Sequence, residues 1–240
     1  MTSEGKAGPP RAVCLVSGGM DSAIALAEAR AAGFANYALT VRYGQRHACE
    51  LDAARRVARA LGALEQREVA VDLGALGGSA LTADVPVPKD RAAAAIPASG
   101  VPATYVPARN TILLALALAW AETLGACDLF LGVNAIDYSG YPDCRPEFLR
   151  AFEGLAALAT AAGAEHGARF RVHAPLLALS KKEIVLRAAA LGVDLGLTHT
   201  CYDPLEREGR WLACGRCDAC VLRLKGFREA GRRDPLPYAG

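Results

Sequence analysis

Ser17-Gly18-Gly19-Met20-Asp21-Ser22 is the stretch of sequence that decides the fold. It follows a short apolar run, residues 12–16, and precedes an Ala-rich stretch, residues 22–32, so we predict a strand, a tight turn and a helix in succession. Glycines without a Cβ let backbone N–H groups approach an anion, and the start of the helix adds unpaired donors and the positive end of its dipole. The hexapeptide is therefore predicted to bind phosphate groups.

The hexapeptide differs from the two common phosphate-binding fingerprints. It lacks the Gly-Lys-Ser/Thr ending of a Walker A loop and the G-x-G-x-x-G pattern, so a γ-phosphate kinase is disfavoured. It resembles the pyrophosphate loop (PP-loop) of the ATP pyrophosphatase superfamily, whose members cleave ATP between the α- and β-phosphates and transfer AMP to a substrate oxygen. That resemblance implies adenylation, with Asp21 helping to hold Mg²⁺. The alternative is a glycine-rich turn capped by Ser17 or Asp21, which needs no ligand.

The rest of the chain alternates between apolar runs suited to strands and longer helical stretches. Further strands are predicted over residues 37–41, 68–71, 128–133 and 170–174. Helices are predicted over residues 49–61, 109–124, 147–162 and 180–191, with glycines as stops at Gly33, Gly62, Gly125, Gly163 and Gly192. This alternation predicts an α/β fold with an open parallel sheet covered by helices on both faces.

Two segments interrupt the alternation and define the domain organisation. Residues 82–107 contain five prolines and no apolar periodicity, so we predict a mobile loop or lid. Four cysteines are concentrated after the last predicted helix, followed by a short basic helix. We therefore divide the chain into a flexible N-terminus (1–10), an ATP-binding α/β domain (11–197), a C-terminal four-cysteine segment (198–233) and a tail (234–240).

The composition is that of an ordinary folded protein. Of the 240 residues, 52% are apolar and 22% are charged, which excludes disordered and low-complexity chains. Lys and Arg number 27 against 25 Asp and Glu, without long blocks of like charge, so we expect no nucleic-acid and no membrane partner. The longest apolar run, residues 111–121, is too short to cross a bilayer, and the N-terminus does not resemble a signal peptide. A cytoplasmic location is expected.

Four of the eight cysteines lie close together in the sequence. Cys201, Cys214, Cys217 and Cys220 have the spacing C-x12-C-x2-C-x2-C, which allows four thiolates to converge on one ion. Four soft ligands favour a tetrahedral, structural Zn²⁺ without a vacant position. The alternative is an iron–sulfur cluster, although Leu224 stands where the ferredoxin pattern has its fourth cysteine. Disulfides or unrelated free thiols are the remaining alternatives.

A second phosphate contact is predicted at the start of the last long helix. Ser180 and Glu183 have the spacing of a capping box, so the helix begins there. Lys181 and Lys182 then lie in its first turn, where they oppose the helix dipole and where a bound anion would compensate. We predict that Lys181 contacts phosphate; the alternative is a solvated surface without a ligand.

A polar loop follows the predicted strand 128–133. In open α/β sheets, ligands bind at loops that follow the carboxyl ends of strands. This loop is therefore predicted to recognise a planar polar heterocycle through Tyr138, Tyr141, Asp143 and Arg145, with Cys144 as a neighbour. The alternative is a surface loop stiffened by Pro and Gly.

Six stretches together resemble the 7-cyano-7-deazaguanine synthases of the queuosine pathway. They are residues 17–22 (SGGMDS), 43–47 (YGQRH), 76–82 (LGGSALT), 105–112 (YVPARNTI), 132–148 (GVNAIDYSGYPDCRPEF) and 214–220 (CGRCDAC). The resemblance implies an adenine nucleotide alpha hydrolase-like, Rossmann-like fold and a homodimeric enzyme that binds one zinc through the four clustered cysteines. It also implies the conversion of 7-carboxy-7-deazaguanine, ammonia and ATP into the nitrile 7-cyano-7-deazaguanine.

The resemblance further implies the roles of individual residues. Arg109 and Asn110 are implied to lie near the nucleotide. Asp21, Lys181 and Arg109, with Mg²⁺, are expected to stabilise charge on the phosphates without a covalent enzyme intermediate. The implied ATP-binding segment consists of Val16, Ser17, Gly18, Gly19, Met20, Asp21, Ser22, Ala23, Ile24, Ala25 and Leu26.

The implied reaction needs two adenylations. The substrate carboxylate attacks the α-phosphate of ATP, ammonia displaces AMP to give an amide, and adenylation of the amide oxygen allows loss of a second AMP and formation of the nitrile. A general base for ammonium is expected, and His47, Asp137 and Asp143 are candidates.

Two other functions remain open from the sequence. One is a PP-loop tRNA thiolase or amidotransferase-type ligase, which often uses an iron–sulfur cluster; the balanced charge disfavours it. The other is a non-catalytic nucleotide-binding protein with a zinc-ribbon-like interaction module, including a paralogue that attaches a deazaguanine to another macromolecule.

Overall fold

A parallel sheet forms the centre of the part of the chain that the structure describes. The structure is a computed structural model and describes residues 8–44, 49–82, 85–96, 100–136 and 141–239. Its strands are β1 (Arg11–Leu15), β2 (Ala35–Arg42), β3 (Glu65–Ala70), β4 (Asp128–Phe130) and β5 (Arg171–His173). All neighbours pair in parallel, in the order β3-β2-β1-β4-β5.

Helices follow most of the strands along the chain. They are α1 (Met20–Ala31), α2 (Cys49–Ala60), α3 (Arg109–Leu124), α4 (Pro146–Ala159), α5 (Ala161–His166), α6 (Lys181–Ala190) and α7 (Asp218–Glu229). Among the described helices, none combines the length and the apolar character that a membrane span requires.

The side chains of β1 show how the sheet is covered. Val13 and Leu15 are buried in one apolar cluster with residues of α3 and α4. Ala12 and Cys14 point to the opposite face and are buried with residues of α1 and α2. Alternate residues of a strand face opposite sides, so β1 has apolar side chains at all of its buried positions, residues 12–15. The predicted α/β class, an open parallel sheet with helices on both faces, is confirmed.

The strand order places a crevice between β1 and β4. The chain runs from β1 outward through β2 to β3, and then returns to the other side of β1 to form β4 and β5. The loops that follow β1 and β4 therefore diverge at the carboxyl edge of the sheet. Ligands of open α/β sheets bind at such a switch point, and the SGGMDS hexapeptide directly follows β1.

The helix predicted over residues 147–162 is two helices. Thr160 is extended, with φ −111° and ψ 149°, and its Oγ1 accepts from the Gly163 backbone N–H over 3.0 Å, which caps α5. The predicted stop at Gly163 is wrong, because the left-handed residue that ends α5 is Gly167, with φ +66°. Gly163 is needed for close packing instead, since a Cβ there would lie 2.3 Å from the Ala157 carbonyl oxygen.

Strand β3 begins three residues before the predicted segment 68–71. It is an edge strand that pairs only with β2 among the described strands, and most of its side chains are partly or fully exposed. Its sequence, EQREVA, is consequently polar and gives little apolar signal to a sequence-based prediction.

The segment 198–233 contains a hairpin besides the predicted basic helix, which is α7. Strands β6 (Leu205–Arg207) and β7 (Arg210–Leu212) pair antiparallel. The two residues between them, Glu208 and Gly209, have φ of +51° and +71°, as a type I′ hairpin turn requires. Each strand has three residues, too few for a recognisable sequence pattern.

A buried ion pair fastens the tail to this segment. Arg223 of α7 is 1% exposed and donates to both carboxylate oxygens of Asp234 over 2.7 and 2.9 Å. It also donates to Thr198 Oγ1 and Thr200 Oγ1, over 2.8 and 3.0 Å. Asp234 therefore orients Arg223, and Arg223 in turn holds Thr198 and Thr200, which lie just before Cys201.

Replacing Arg223 by methionine is expected to lower the free energy of unfolding by about 3–5 kcal/mol, because Asp234 is left buried without its partner. Thermal unfolding measures this as a fall of roughly 10 °C for a chain of this size. Arg228, exposed on the same helix, is the control position, and Arg228→Met should leave the melting temperature almost unchanged. Equal shifts for the two variants would contradict the role given to the pair.

The described parts of segment 82–107 contact the cysteine segment. Val87 is buried in the apolar cluster that contains the four cysteines. Lys89 Nζ lies 2.6 Å from Asp203 Oδ2, and Arg91 donates to both carboxylate oxygens of Asp218 over 3.0 and 2.7 Å. These contacts attach residues 87–91 to the C-terminal segment, whereas closure of the predicted lid over the crevice stays a prediction.

Candidate active site

We call the SGGMDS hexapeptide, residues 17–22, the phosphate loop after its predicted ligand, and the side chains of Ser17 and Ser22 hold its shape. Ser22 Oγ donates to the Gly19 carbonyl oxygen over 3.0 Å and accepts from the Ser17 backbone N–H over 3.2 Å. Gly18 has φ +87°, a conformation that favours glycine. Helix α1 begins directly after Gly19, and no described side chain caps that position. The Gly19 backbone N–H donates to Ser17 Oγ over 3.3 Å, as the ligand-independent alternative requires, whereas the first turn of α1 has no side-chain cap and lines the pocket.

Two glycines allow the backbone to pass close to this loop. A Cβ at Gly18 would lie 2.3 Å from the carbonyl oxygen of Glu50 in α2. A Cβ at Gly132, in the loop after β4, would lie 2.7 Å from the carbonyl carbon of Asp21. Both the α2 backbone and the loop after β4 therefore pack directly against the phosphate loop.

The close approach at Gly132 predicts a large effect of one added methyl group. Gly132→Ala should lower the free energy of unfolding by about 1–3 kcal/mol, because the backbone of Asp21 has to move, and ATP turnover should fall with it. Gly154, where a Cβ meets nothing within 4 Å, is the control, and Gly154→Ala should be neutral or stabilising. Thermal unfolding and AMP release measure both variants, and a Gly132→Ala variant as stable and active as the Gly154→Ala variant would refute this packing argument.

Asp21 and Lys181 form a buried ion pair at the phosphate loop. Lys181 Nζ donates to Asp21 Oδ2 over 2.6 Å, and the lysine side chain is 3% exposed. The predicted capping box is present, because the side chains of Ser180 and Glu183 each bond to the backbone N–H of the other. Lys182 is exposed, so the alternative of a solvated surface describes Lys182 and not Lys181.

The second oxygen of Asp21 fits a cation. Asp21 Oδ1 is buried and has no hydrogen-bond partner among the described residues. A buried carboxylate oxygen without a partner is costly, and Mg²⁺ binds through one or two carboxylates together with substrate phosphates. The residues present therefore fit the predicted Mg²⁺ at the phosphate loop.

One pocket lies at the crevice between β1 and β4. Lys181 is not among the lining residues but donates to Asp21, which lines the pocket. Arg109, at the start of α3, lines it directly. The Arg109 guanidinium lies over the ring of Tyr43, 5.9 Å from its centre, and burial raises the pKa of that tyrosine. The described lining residues are Leu15, Val16, Ser17, Gly19, Met20, Asp21, Ser22, Leu39, Val41, Tyr43, Glu50, Arg109, Asn110, Leu113, Leu131, Gly132, Val133, Asn134, Tyr141, Cys144, His199, Thr200 and Tyr202.

The predicted ATP-binding segment is only partly in contact with this pocket. Val16, Ser17 and the residues 19–22 line it, whereas residues 23–26 lie in α1 and are buried in the core. The side chains of residues 23–26 therefore pack in the core and hold α1 in place, without contacting the pocket.

Asn110 lines the pocket and is held by Asp143. The Asn110 backbone N–H donates to Asp143 Oδ2 over 3.0 Å, and Asn110 Nδ2 donates to the Asp143 carbonyl oxygen over 3.1 Å. Helix α3 has no side-chain cap from its own N-cap residue, Ala108, so the Asp143 carboxylate supplies an acceptor for its first turn. The structure thus places the predicted substrate ligand Asp143 beside the pocket, with its carboxylate bonded to α3.

The other residues of the predicted substrate loop divide into three groups. Tyr141 is buried, lines the pocket and exchanges a hydrogen bond with Thr104 Oγ1 over 2.9 Å. Cys144 also lines the pocket, and burial raises the pKa of its thiol to about 12, so the thiol is protonated at neutral pH. Arg145 is exposed directly before α4 and does not line the pocket. Tyr138 lies outside the described residues.

The four clustered cysteines converge on one point. Their Sγ atoms all lie within 4.8 Å of one another, and those of Cys201 and Cys217 are 4.0 Å apart. A tetrahedral zinc with Zn–S bonds of about 2.3 Å requires sulfurs about 3.8 Å apart. All eight cysteines are free, so the disulfide alternative is not observed. Backbone N–H groups that favour thiolates donate over 3.2–3.4 Å to Cys201 or Cys214; they belong to Asp203, Cys214, Arg216 and Cys217.

The cysteine cluster adjoins the pocket. The His199 backbone N–H donates to the Gly18 carbonyl oxygen over 2.8 Å, and Thr200 and Tyr202, on either side of Cys201, line the pocket. A metal bound to the cysteines would therefore fix one wall of the pocket and also the phosphate loop.

The comparison with protein families agrees with this geometry. The family described as "Queuosine biosynthesis protein QueC" matches residues 11–231, which includes the sheet, the pocket and all four clustered cysteines. The chain belongs to the QueC family. Proteins named "7-cyano-7-deazaguanine synthase" are similar over nearly their whole length.

Two such relatives of the QueC chain illustrate the similarity. The protein of Thiobacillus denitrificans is 61% identical over 231 residues, which are 96% of this chain and 99% of the relative. That of Myxococcus xanthus is 59% identical over 228 residues, 95% of this chain and 97% of the relative. Among solved structures, the NMN synthetase of Francisella tularensis is 16% identical, with a TM-score of 0.46 over 80% of this chain and 66% of that one.

Several pocket residues of this QueC chain were not singled out from the sequence. Tyr43 and Asn134 belong to motifs that carried the resemblance, and only their roles were missed. Glu50, His199, Thr200 and Tyr202 lack a motif signal and reach the pocket because α2 and the cysteine segment pack against the phosphate loop. Two predicted base candidates, His47 and Asp137, lie outside the described residues.

Proposed function

We propose that this protein converts 7-carboxy-7-deazaguanine and ammonia into 7-cyano-7-deazaguanine at the expense of ATP, through adenylated acid and amide intermediates. The observation that carries the proposal is the buried pair of Asp21 and Lys181 beside an uncapped helix start, inside a pocket at the switch point of the sheet. Membership of the QueC family and the name of the relatives support the choice of substrate.

The phosphate loop and its cations suit cleavage of ATP between the α- and β-phosphates. A carboxylate is a poor acyl donor until it is adenylated, and adenylation releases pyrophosphate, whose charge must be stabilised. The N–H groups of residues 20–22, the ammonium of Lys181 and the guanidinium of Arg109 would provide that stabilisation, because the fold orients them before the substrate binds. Asp21 would hold Mg²⁺, which supplies further neutralisation of the phosphate charge.

The remaining part of the pocket suits a planar, polar acceptor. The ring face of Tyr43 lies against Arg109, Tyr141 and Tyr202 line the same pocket near that guanidinium, and Asn110 adds an amide. Aromatic faces stack on a flat heterocycle, while hydroxyl and amide groups hydrogen-bond to its polar edge. The predicted contacts of Tyr138, Asp143 and Arg145 with the substrate remain part of the proposal.

The four cysteines are proposed to hold one structural zinc. The ligand set is soft and closed, so it leaves no position for water or substrate. This feature favours the nitrile synthase over a PP-loop tRNA thiolase, whose cluster would be iron–sulfur. A colourless protein with one zinc per chain is expected, whereas a brown protein would support the thiolase. We further propose a cytoplasmic homodimer, which sedimentation of the purified chain tests.

The activity is tested with the wild-type protein, ATP, Mg²⁺, ¹⁵N-labelled ammonium and 7-carboxy-7-deazaguanine. Mass spectrometry should find the labelled nitrile, its amide precursor and two AMP for each nitrile. AMP without nitrile would leave adenylation in place and assign another acceptor. ATP binding without AMP release would favour the non-catalytic nucleotide-binding alternative.

A further inference from the structure

An acidic side chain without a role in the adenylation chemistry lies in the pocket. Glu50 is the second residue of α2 and lines the pocket together with the phosphate loop, Arg109 and Tyr43. Its backbone is held firmly, because its carbonyl oxygen lies so close to Gly18 that a Cβ there would come within 2.3 Å. Glu50 is therefore carried on a rigid helix that packs against the nucleotide end of the pocket.

The surroundings of Glu50 tune its protonation. Burial raises the pKa of Glu50 to about 7, and the positive charge of Arg109 opposes this rise. Among the described residues, Tyr43 and the adjacent Cys49 are titratable neighbours, and the other titratable residues that line the pocket are Asp21, Tyr141, Cys144, His199 and Tyr202. Burial raises the pKa of Tyr43 and brings that of Cys49 to about 12, so both are neutral at pH 7. Of Glu50, Tyr43 and Cys49, Glu50 is the group that exchanges a proton near neutral pH.

The other carboxylates near the pocket are already engaged. Asp21 is paired with Lys181 at 2.6 Å, and Asp143 accepts a hydrogen bond from the Asn110 backbone at 3.0 Å. Glu50 makes no ion pair with any residue in the described ranges. The residue as a whole is partly exposed, whereas its carboxyl group is desolvated at the wall of the pocket. A carboxyl group in this position can exchange a proton with water that enters the pocket.

The nitrogen atom that becomes the nitrile loses protons during the reaction. The role of Glu50 therefore rests on the proposed function. Ammonium must lose one proton before it attacks the adenylated acid. The attacking nitrogen loses a second when the C–N bond forms and the C–O bond to AMP breaks. The amide nitrogen loses its last two protons when its adenylated oxygen leaves as AMP. Every one of these steps needs a proton acceptor beside the reacting carbon.

We propose that Glu50 is the general base that takes these protons from nitrogen. In the first step its carboxylate removes a proton from ammonium, the nitrogen lone pair forms the C–N bond, and the electrons of the C–O bond leave with AMP. The carboxylic acid then returns its proton to solvent and is ready for the next removal. The adenylation steps themselves, which transfer no proton from nitrogen, do not require it.

Glu50→Gln tests the proposal, with Asp52→Asn as the matched control in the same first turn of α2. Asp52 is half-exposed and pairs with Arg55 outside the pocket. Glutamine has nearly the shape of glutamate and no charge to bury, so the variant should fold. Formation of amide and nitrile should fall about 10²–10⁴-fold in Glu50→Gln and stay normal in Asp52→Asn. The substrate-dependent exchange of pyrophosphate into ATP, measured without ammonia, should stay close to the wild-type rate.

Hydroxylamine separates a base from a positioning residue. It is a weaker base than ammonia and is already neutral at pH 7, so it needs only the second proton removal, and its attack on the adenylated acid to give a hydroxamate should fall much less in Glu50→Gln than the attack by ammonia. The wild-type ammonia reaction should level off once Glu50 is ionised, above about pH 7, whereas the variant depends on free ammonia and its rate should keep rising with pH beyond that point. An equal loss with both nucleophiles, or full activity with ammonium, would overturn the role of Glu50. Failure of the wild type to form the nitrile would instead overturn the proposed function.

Discussion

Lys181→Met is expected to reduce AMP formation at least about 10²-fold, because it removes a buried cation from the site where pyrophosphate charge develops. The variant also leaves the Asp21 carboxylate without its partner, which costs about 3–5 kcal/mol of stability. AMP release in the presence of 7-carboxy-7-deazaguanine measures the first effect, and thermal unfolding measures the second. The two effects need to be separated.

The neighbouring lysine and a double variant provide that separation. Lys182 is exposed one residue along the same helix turn, so Lys182→Met should retain both stability and activity. Asp21→Asn combined with Lys181→Met removes both buried charges and should recover most of the lost stability while remaining inactive. A stable double variant with wild-type AMP release would refute a role of this pair in ATP cleavage.

Cys217→Ser is expected to remove the bound zinc and to lower the melting temperature by about 10–20 °C. Cys217 is fully buried among the other three sulfurs, and a structural zinc contributes its binding energy directly to folding. Because Thr200 and Tyr202 line the pocket on either side of Cys201, activity should be lost at temperatures where the chain is still folded. Zinc content by mass spectrometry and thermal unfolding measure the change.

Cys127→Ser is the matched control for this substitution. Cys127 is half-exposed, lies just before β4 and is not part of the cluster. It should retain one zinc per chain and the wild-type melting temperature. A Cys217→Ser protein that keeps its zinc and its stability would show that the four sulfurs are not the metal ligands.

The correct sequence-based expectations rest on local patterns. The glycine-rich turn after an apolar run, the alternation of apolar and helical stretches and the cysteine spacing are each contained in a short stretch. These patterns have local physical causes, which act over a few residues. The causes are backbone freedom at glycine, burial of both faces of a strand and the reach of thiolates. The wrong stop at Gly163 arose because two roles of glycine, a left-handed cap and a close helix contact, look identical in sequence.

The sequence by itself determined the α/β class, the glycine-rich turn between β1 and α1, the cysteine set and the resemblance to a family. Only the tertiary structure decided which distant groups meet. Asp21 and Lys181 are 160 residues apart and pair because α1 and α6 pack together. Asp143 bonds to the start of α3, and Glu50 lies beside Arg109, because their elements converge at the carboxyl edge of the sheet. Pairing and burial depend on where elements dock, and that information is spread over the whole core.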